Sequence, residues 1–156
     1  MKSLRETITE HSFFLGMKPE HLDVLVGCAS ETKLKPDQVL FREGEPASQF
    51  YLIEGGRIAI ESRQLSSGSA RVQTLGPGDV LGWSWLFPPF TWHFQARALE
   101  PARAIVLDGA RLLVTAEKNR EFGYELMKRV AQVVIRRLQA TRKQLLEQQI
   151  ESALDG

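Results

Sequence analysis

Cysteine is almost absent from this sequence of 156 residues. The single cysteine, Cys28, excludes a disulfide bond within the chain and gives no metal-binding pattern. We interpret it as a small buried hydrophobic residue on an N-terminal helix. An excess of charge of either sign is also lacking, because 20 lysine and arginine residues stand against 19 aspartate and glutamate residues. The net charge of +1 therefore gives no argument for or against a polyanionic partner.

Long hydrophobic runs are absent too. The longest uncharged stretch, residues 80–96, contains Pro88, Pro89 and several polar residues, so it is not typical of a membrane-spanning helix. Residues 1–10 already carry charged side chains and have no apolar run, which argues against a signal peptide. We therefore expect a soluble cytoplasmic protein that does not contact a membrane.

Motifs of catalysis and metal binding are also lacking. The three histidines, His11, His21 and His93, do not have metal-ligand spacing. The sequence contains no nucleophile elbow, no P-loop and no dinucleotide fingerprint. We therefore predict no catalytic residue and no metal site, and we do not expect an enzyme.

The patterns that are present predict a single domain over residues 1–156. Residues 1–30 have helical apolar spacing, and Pro19 suits a first helical turn. Residues 31–108 contain eight short strand-like pieces separated by glycine and proline turns, with a longer hairpin tip at residues 66–69. Residues 109–153 return to helix after Asp108, which we predict to be an N-cap. The fold class is therefore α+β, an antiparallel β jelly-roll sandwich with N-terminal helices and a long C-terminal helix.

The last predicted helix, residues 121–152, repeats apolar residues at alternating spacings of four and three, beginning at Met127 and Ala131. This heptad pattern favours packing on another helix, most simply a second copy in a parallel homodimer. The alternative is that this face lies back on its own β-roll. Since other apolar residues widen the surface near the helix start, we expect intramolecular packing first and dimer contact later. The predicted dimer residues are Val134, Leu138, Thr141 and Leu145.

Basic residues are spread along the same helix, and glutamates lie between them. We interpret them as a solvated face and do not expect nucleic acid as a partner. The sequence ends at Gly156, before a helix-turn-helix domain could follow, so we expect a stand-alone domain that does not bind DNA directly. The basic residues are Lys128, Arg129, Arg136, Arg137, Arg142 and Lys143.

Residues 83–94, the aromatic segment, hold all three tryptophans and three of the eight phenylalanines. An uncharged aromatic loop between strands is unusual, because loops normally satisfy their backbone polar groups with water. The segment either fills the core or lines a pocket. Alternation in the following strand predicts Phe94 and Ala96 inward and Gln95 and Arg97 outward.

Residues 39–53, 55–60 and 75–82 together resemble the cyclic-nucleotide-binding domain of the catabolite-activator and FNR-like regulators. Residues 39–53 resemble the opening signature of that family, with its Gly-Glu turn and following aromatic strand. Residues 55–60 resemble the next hairpin, and residues 75–82 resemble the turn into its phosphate-binding cassette. The matches span roughly residues 12–140 in the order and spacing of the family.

The resemblance implies a cassette in which a helix N-terminus and an arginine contact a cyclic phosphate and a glutamate holds the ribose. Here Trp83 occupies the glutamate position, and the arginine position falls near Thr91, Trp92 or His93. Each missing charge-assisted bond costs roughly 1.5–3 kcal/mol, so we expect weak binding of cAMP and cGMP. We assign His93 to a structural or surface role and Arg97 to a solvated strand position.

We interpret the chain as a regulatory or sensor domain of this type with a degenerate cassette, acting on an effector protein whose identity is open. The alternative is a ligand-independent dimerisation or scaffold module whose pocket is filled by its own aromatic rings. No cofactor is implied with certainty, and the candidate ligands are a cyclic nucleotide or another small planar molecule. The candidate pocket residues are Gly82, Trp83, Ser84, Trp85, Leu86, Trp92 and His93.

Overall fold

Helices stand at both ends of the chain and strands lie between them. The computed structural model describes residues 3–64 and 68–155, without the side chains of residues 63–72 and 155. The hairpin tip predicted at residues 66–69 therefore lies largely outside the described residues. The helices are α1 (Leu4–Glu10), α2 (Pro19–Gly27), α3 (Gly109–Lys118) and α4 (Arg120–Asp155), and a 3-10 turn lies at Ser12–Phe14.

The helix starts follow local sequence signals. The side chain of Asp108 accepts a hydrogen bond from the backbone N–H of Arg111 at 3.2 Å, so it is the predicted N-cap of α3. Pro19 is in the first turn of α2, as predicted. Cys28 is a correction, because it follows the end of α2 and is only half-buried. Its carbonyl accepts from the N–H of Asp108 at 3.0 Å, so it caps α2 directly before the first strand.

In the described part of the chain, eight strands form two antiparallel four-stranded sheets, which confirms the predicted sandwich. The first sheet has the order β1-β8-β3-β6 and the second has the order β2-β7-β4-β5. The first strand begins at Ala29, slightly earlier than the predicted start of the β-roll at residue 31. The strands are β1 (Ala29–Leu34), β2 (Val39–Phe41), β3 (Gln49–Gly55), β4 (Ile58–Gln64), β5 (Gly68–Leu75), β6 (Val80–Leu81), β7 (Gln95–Ala98) and β8 (Ala102–Asp108).

Two hydrophobic cores lie on opposite faces of the first sheet. Successive residues of a strand point to opposite faces, and β3 shows this directly. Phe50 and Leu52 pack with the helices in what we call the helix-side core. Tyr51 and Ile53 pack with the second sheet in the inter-sheet core. The first sheet is therefore covered on both faces, so the same strand supports the helices and the sandwich.

Helix α4 packs on its own domain through a stripe that differs from the predicted heptad seam. The buried apolar side chains of its first half are Phe122, Leu126, Val130 and Val133, which lie at helical spacing on one face. The first residue of the predicted seam, Met127, is exposed. Intramolecular packing therefore uses a neighbouring face of the helix and leaves the seam free for other contacts.

Polar contacts add to this packing and correct one part of the prediction for the basic residues. Arg129 donates hydrogen bonds to the carbonyls of Phe13 at 2.6 Å and Leu15 at 3.0 Å, so it is not simply solvated. Glu125 contacts Arg129 at 3.0 Å and His21 at 2.7 Å. Burial opposes ionisation of Glu125, but the hydrogen bonds of His21 and Arg129 outweigh it and lower its pKa. These contacts fix α4 against the N-terminal residues.

We expect Phe122→Ala to lower the free energy of unfolding by about 3–5 kcal/mol, because it removes a fully buried ring and leaves a cavity. The matched control is Tyr124→Ala on the same turn, whose ring is 68% exposed and should cost about 1 kcal/mol or less. Urea unfolding at one protein concentration measures both values. Equal losses would contradict the assignment of the buried stripe.

Candidate ligand-binding site

Two tryptophans of the aromatic segment pack in different cores. Trp85 belongs to a 3-10 turn, and its ring centroid lies 5.6 Å from that of Phe50 in the helix-side core. Gly109 allows this approach, since an added Cβ there would lie 2.6 Å from the Trp85 ring. Leu86 packs against the same core. The structure thus places Trp85 and Leu86 away from the predicted pocket, because the 3-10 turn directs them towards the helices.

Trp92 enters the inter-sheet core instead. Its ring stacks on Phe41 with a centroid separation of 3.8 Å and an interplanar angle of 14°. Backbone hydrogen bonds hold Trp92 against the turn that follows β2. Its N–H donates to the carbonyl of Glu45 at 2.9 Å, and its carbonyl accepts from the N–H of Gly44 at 2.8 Å. Gly82 lies against the ring, where an added Cβ would be 2.8 Å away. Trp92 is therefore part of the inter-sheet core as well as of the aromatic segment.

A cavity of about 370 Å³ remains beside these rings. Five of the predicted pocket residues line it together, and most of the other lining side chains are apolar. The aromatic segment therefore does not fill the sandwich completely. The predicted residues at the cavity are Gly82, Trp83, Ser84, Trp92 and His93, and the lining residues that the sequence did not indicate include Phe41, Gln73 and Arg137.

Helix α4 forms one wall of this cavity. Val134, Leu138 and Thr141, which the sequence indicates as a dimer surface, line it from the helix side. Leu145 lies beyond the cavity and is 55% exposed. Residues predicted for the dimer surface and residues predicted for the pocket thus line the same cavity. A molecule in the cavity would therefore contact α4 directly.

Arg137 corrects the second part of the prediction for the basic residues. It is partly buried, donates a hydrogen bond to the carbonyl of Val80, and its guanidinium carbon lies 4.4 Å from the centroid of the Trp83 ring. Burial lowers the pKa of Arg137 to about 10. This arginine therefore links α4 to β6 and to the aromatic segment.

Arg137 also lines a second, more polar cavity of about 480 Å³. The polar cavity lies between the N-terminal 3-10 turn, the turn before β6 and α4, and Arg136 and Asp79 are among its lining residues. The carboxylate of Asp79 accepts from the backbone N–H of Gly76 at 2.9 Å and so closes that turn. The guanidinium of Arg137 is the charged group that both cavities share among the described residues.

A second arginine near the aromatic segment, Arg97, pairs with carboxylates that do not line the cavity. Arg97 points away from the inter-sheet core, as alternation predicts. It is not simply a solvated strand residue, however, because it pairs with Glu61 at 2.9 Å and with Asp37 at 2.7 Å. The hydrogen bond to Glu61 raises the pKa of Arg97. Phe94 is a correction, because it is 42% exposed at the edge of the cavity and does not point fully inward. His93 is exposed on the same edge.

The arrangement defines a class of protein, a β-sandwich domain with a cavity bounded by its C-terminal helix. The model of the cyclic nucleotide-binding domain family matches residues 31–119, which is more than half of the chain. The chain belongs to this family and is a domain of the regulatory type.

Two curated relatives are similar to parts of the chain. The first is the acetyltransferase Pat of Mycolicibacterium smegmatis, 39% identical over 45% of this chain and 21% of the relative. The second is a CRP-like cAMP-activated global transcriptional regulator of Mycobacterium tuberculosis, 24% identical over 91% of this chain. The chain spans 62% of the length of that regulator. Both relatives are therefore longer proteins of which this chain matches a part.

Solved structures share the fold. A cyclic nucleotide-binding protein from Geobacter metallireducens is 29% identical, covers 88% of this chain and 99% of its own, and gives a TM-score of 0.79. A cyclic nucleotide-binding domain from Methylobacillus flagellatus covers 92% of this chain and 83% of its own with a TM-score of 0.80, at 19% identity. Within residues 3–64 and 68–155, no helix combines the length and the apolar character needed to span a membrane.

We expect Gly82→Ala to lower the free energy of unfolding by about 2–5 kcal/mol. Its φ of +89° costs an L-residue about 1–2 kcal/mol, and contact with Trp92 at 2.8 Å adds an overpacking cost of about 1–3 kcal/mol. Urea unfolding followed by tryptophan fluorescence measures the loss.

Gly44→Ala is the matched control for this prediction. It has the same φ of +89°, but no described heavy atom lies within 4 Å of an added Cβ. It should therefore lose only the backbone term of about 1–2 kcal/mol. If both variants lose the same amount, the close approach of Trp92 to Gly82 carries no cost and the packing described above is wrong.

Proposed function

We propose that this domain is a sensor whose cavity binds a small planar, mainly apolar molecule, and that cyclic nucleotides bind it weakly. The observation that carries the proposal is the cavity of about 370 Å³ between the aromatic segment and α4. Its volume is in the range of small-molecule sites, which are about 300–1,000 Å³ and mostly apolar. Trp83, Trp92 and Leu138 supply apolar surface to it.

The weak binding of nucleotides follows from the charges that the segment lacks. Trp83 stands at the position where the family resemblance implies a glutamate for the ribose, and Trp92 packs in the inter-sheet core near the implied arginine position. Two lost charge-assisted contacts of roughly 1.5–3 kcal/mol each weaken binding by about a hundredfold or more. The M. tuberculosis relative is named as cAMP-activated, and this chain differs from the implied pattern at both positions.

The signal would pass through α4. Val134, Leu138 and Thr141 contact the cavity, and Arg137 ties the same helix turns to Trp83. A ligand that contacts these residues in one helix position more than in another shifts the population of helix positions. The residues that line the cavity would therefore be sufficient to transmit ligand binding to α4.

Helix α4 is also the proposed surface of a homodimer. Leu138 and Leu145 are 60% and 55% exposed and lie at the seven-residue spacing of a heptad. After Val133, none of the described residues of the helix up to residue 154 is buried. The second half of the helix is therefore open to a partner helix. Because Leu138 also lines the cavity, a partner helix on this seam would lie next to the bound ligand. A cytoplasmic location and an effector protein remain predictions from the sequence.

We expect 2-naphthamide, a neutral planar probe, to bind with a dissociation constant of about 10 µM to 1 mM, as its size and apolar surface allow. At 1 mM, cAMP and cGMP should give no heat and no shift of Tm. Isothermal titration calorimetry and thermal unfolding measure these responses. Nucleotide binding at micromolar concentration would contradict the proposed selectivity.

The matched variants for this test are Val134→Phe and Ile135→Phe. Val134 lines the cavity, so the larger side chain should fill part of it and weaken probe binding at least about tenfold. Ile135 is exposed and is not a lining residue, so its variant should bind as the parent chain does. No binding to the unmodified chain would favour the ligand-independent module and contradict the sensor.

We expect Leu145→Glu to raise the dimer dissociation constant at least about tenfold, because it places a carboxylate on the seam in both copies. Sedimentation velocity over a concentration series measures the constant. Gln139→Glu adds the same charge to an exposed position beside the seam and should change it little. A chain that is monomeric without any substitution would overturn the dimer.

A further inference from the structure

The apolar cavity contains one formally charged residue among the described residues that line it, and this residue is Arg137. The polar side chains around it are few, with Gln73, Ser84 and Thr141 inside and His93 at the edge. A cation in such surroundings has lost much of its water and needs other groups to stabilise its charge.

Other partly buried arginines of this chain obtain that stabilisation from carboxylates. Arg97 pairs with Glu61 and Asp37, and Arg129 pairs with Glu125. Arg137 forms no ion pair among the described residues, although Asp79 is near enough to favour its charged form. Among the described residues, Arg137 is thus the partly buried arginine that contacts no carboxylate directly.

The guanidinium of Arg137 also has donors to spare. Arginine has five N–H groups in a planar fork. The described residues accept one hydrogen bond from it, at the carbonyl of Val80, while the Trp83 ring covers one face. The edge of the fork is therefore available to an acceptor, and a carboxylate matches that edge with two parallel bonds.

Resting on the proposed function, we propose that the ligand is a compact planar carboxylate, with its apolar body in the cavity and its carboxylate on Arg137. A cyclic nucleotide fits this arrangement poorly, because its ribose and base add polar groups that the apolar wall leaves without partners. A single anionic head on an apolar body uses the one charge and the apolar wall together. The ligand then contacts α4 through Arg137 as well as through Leu138.

The test compares two probes of nearly the same shape, 2-naphthoate and 2-naphthamide, by calorimetry at pH 7. The carboxylate is ionised at this pH and the amide is neutral. We expect the full chain to bind 2-naphthoate at least about tenfold more tightly, as a charge-assisted bond allows. Equal affinities overturn the carboxylate assignment and leave the sensor proposal intact, whereas failure of both probes contradicts the sensor proposal itself.

Two variants connect the preference to Arg137. Arg137→Gln should abolish the preference for 2-naphthoate while 2-naphthamide still binds. Arg136→Gln, the matched control, removes an exposed charge from the neighbouring position and should leave the preference unchanged. A preference that persists in Arg137→Gln, or that disappears in Arg136→Gln to the same extent, shows a general effect of positive charge and overturns the assignment.

Arg137→Lys provides a second route if Arg137→Gln does not fold. Lysine keeps the charge but lacks the planar fork, so the preference for 2-naphthoate should fall to a few-fold. A tenfold or larger preference in Arg137→Lys would show that the forked contact is absent. Thermal unfolding of each variant confirms that the domain is folded before the probes are compared.

Discussion

The position of the aromatic segment depends on two tryptophan rings that pack on opposite faces of the first sheet. Trp85 is held in the helix-side core and Trp92 in the inter-sheet core. Because each ring is anchored in a core, neither ring fills the space beside α4. Trp83 and the cavity lie in that space. The same anchoring gives Arg137 an aromatic face to pack on, which ties the helix to the segment.

Much of the fold could be predicted from local chemistry. Strand alternation and turn residues gave the antiparallel sandwich, and Asp108 and Pro19 marked helix starts, because these signals act over a few neighbouring residues. The pocket was harder to predict. Trp85 and Leu86 turn towards the helices because of a 3-10 turn whose direction depends on close packing against Gly109. No short-range sequence pattern specifies that packing.

Arg137 shows that residue type alone does not predict burial on α4. A basic residue on a charged helix is usually solvated, and seven such residues lie along this helix. A signal was nevertheless present, since Arg137 is three residues after Val134 and four before Thr141 and so shares their face. Helical spacing relative to apolar neighbours was more informative here than residue type. What the sequence could not supply was the Trp83 ring opposite, which comes from a distant segment.

The length of α4 has a geometric consequence. The helix has 36 residues, and Arg137 is near its middle. With a rise of 1.5 Å per residue, Asp155 lies about 27 Å beyond that point. A tilt of only about 10° at Arg137 would displace the far end by about 5 Å, close to one helical turn. Sub-ångström adjustments beside Trp83 can therefore become movements large enough to change which residues a partner meets.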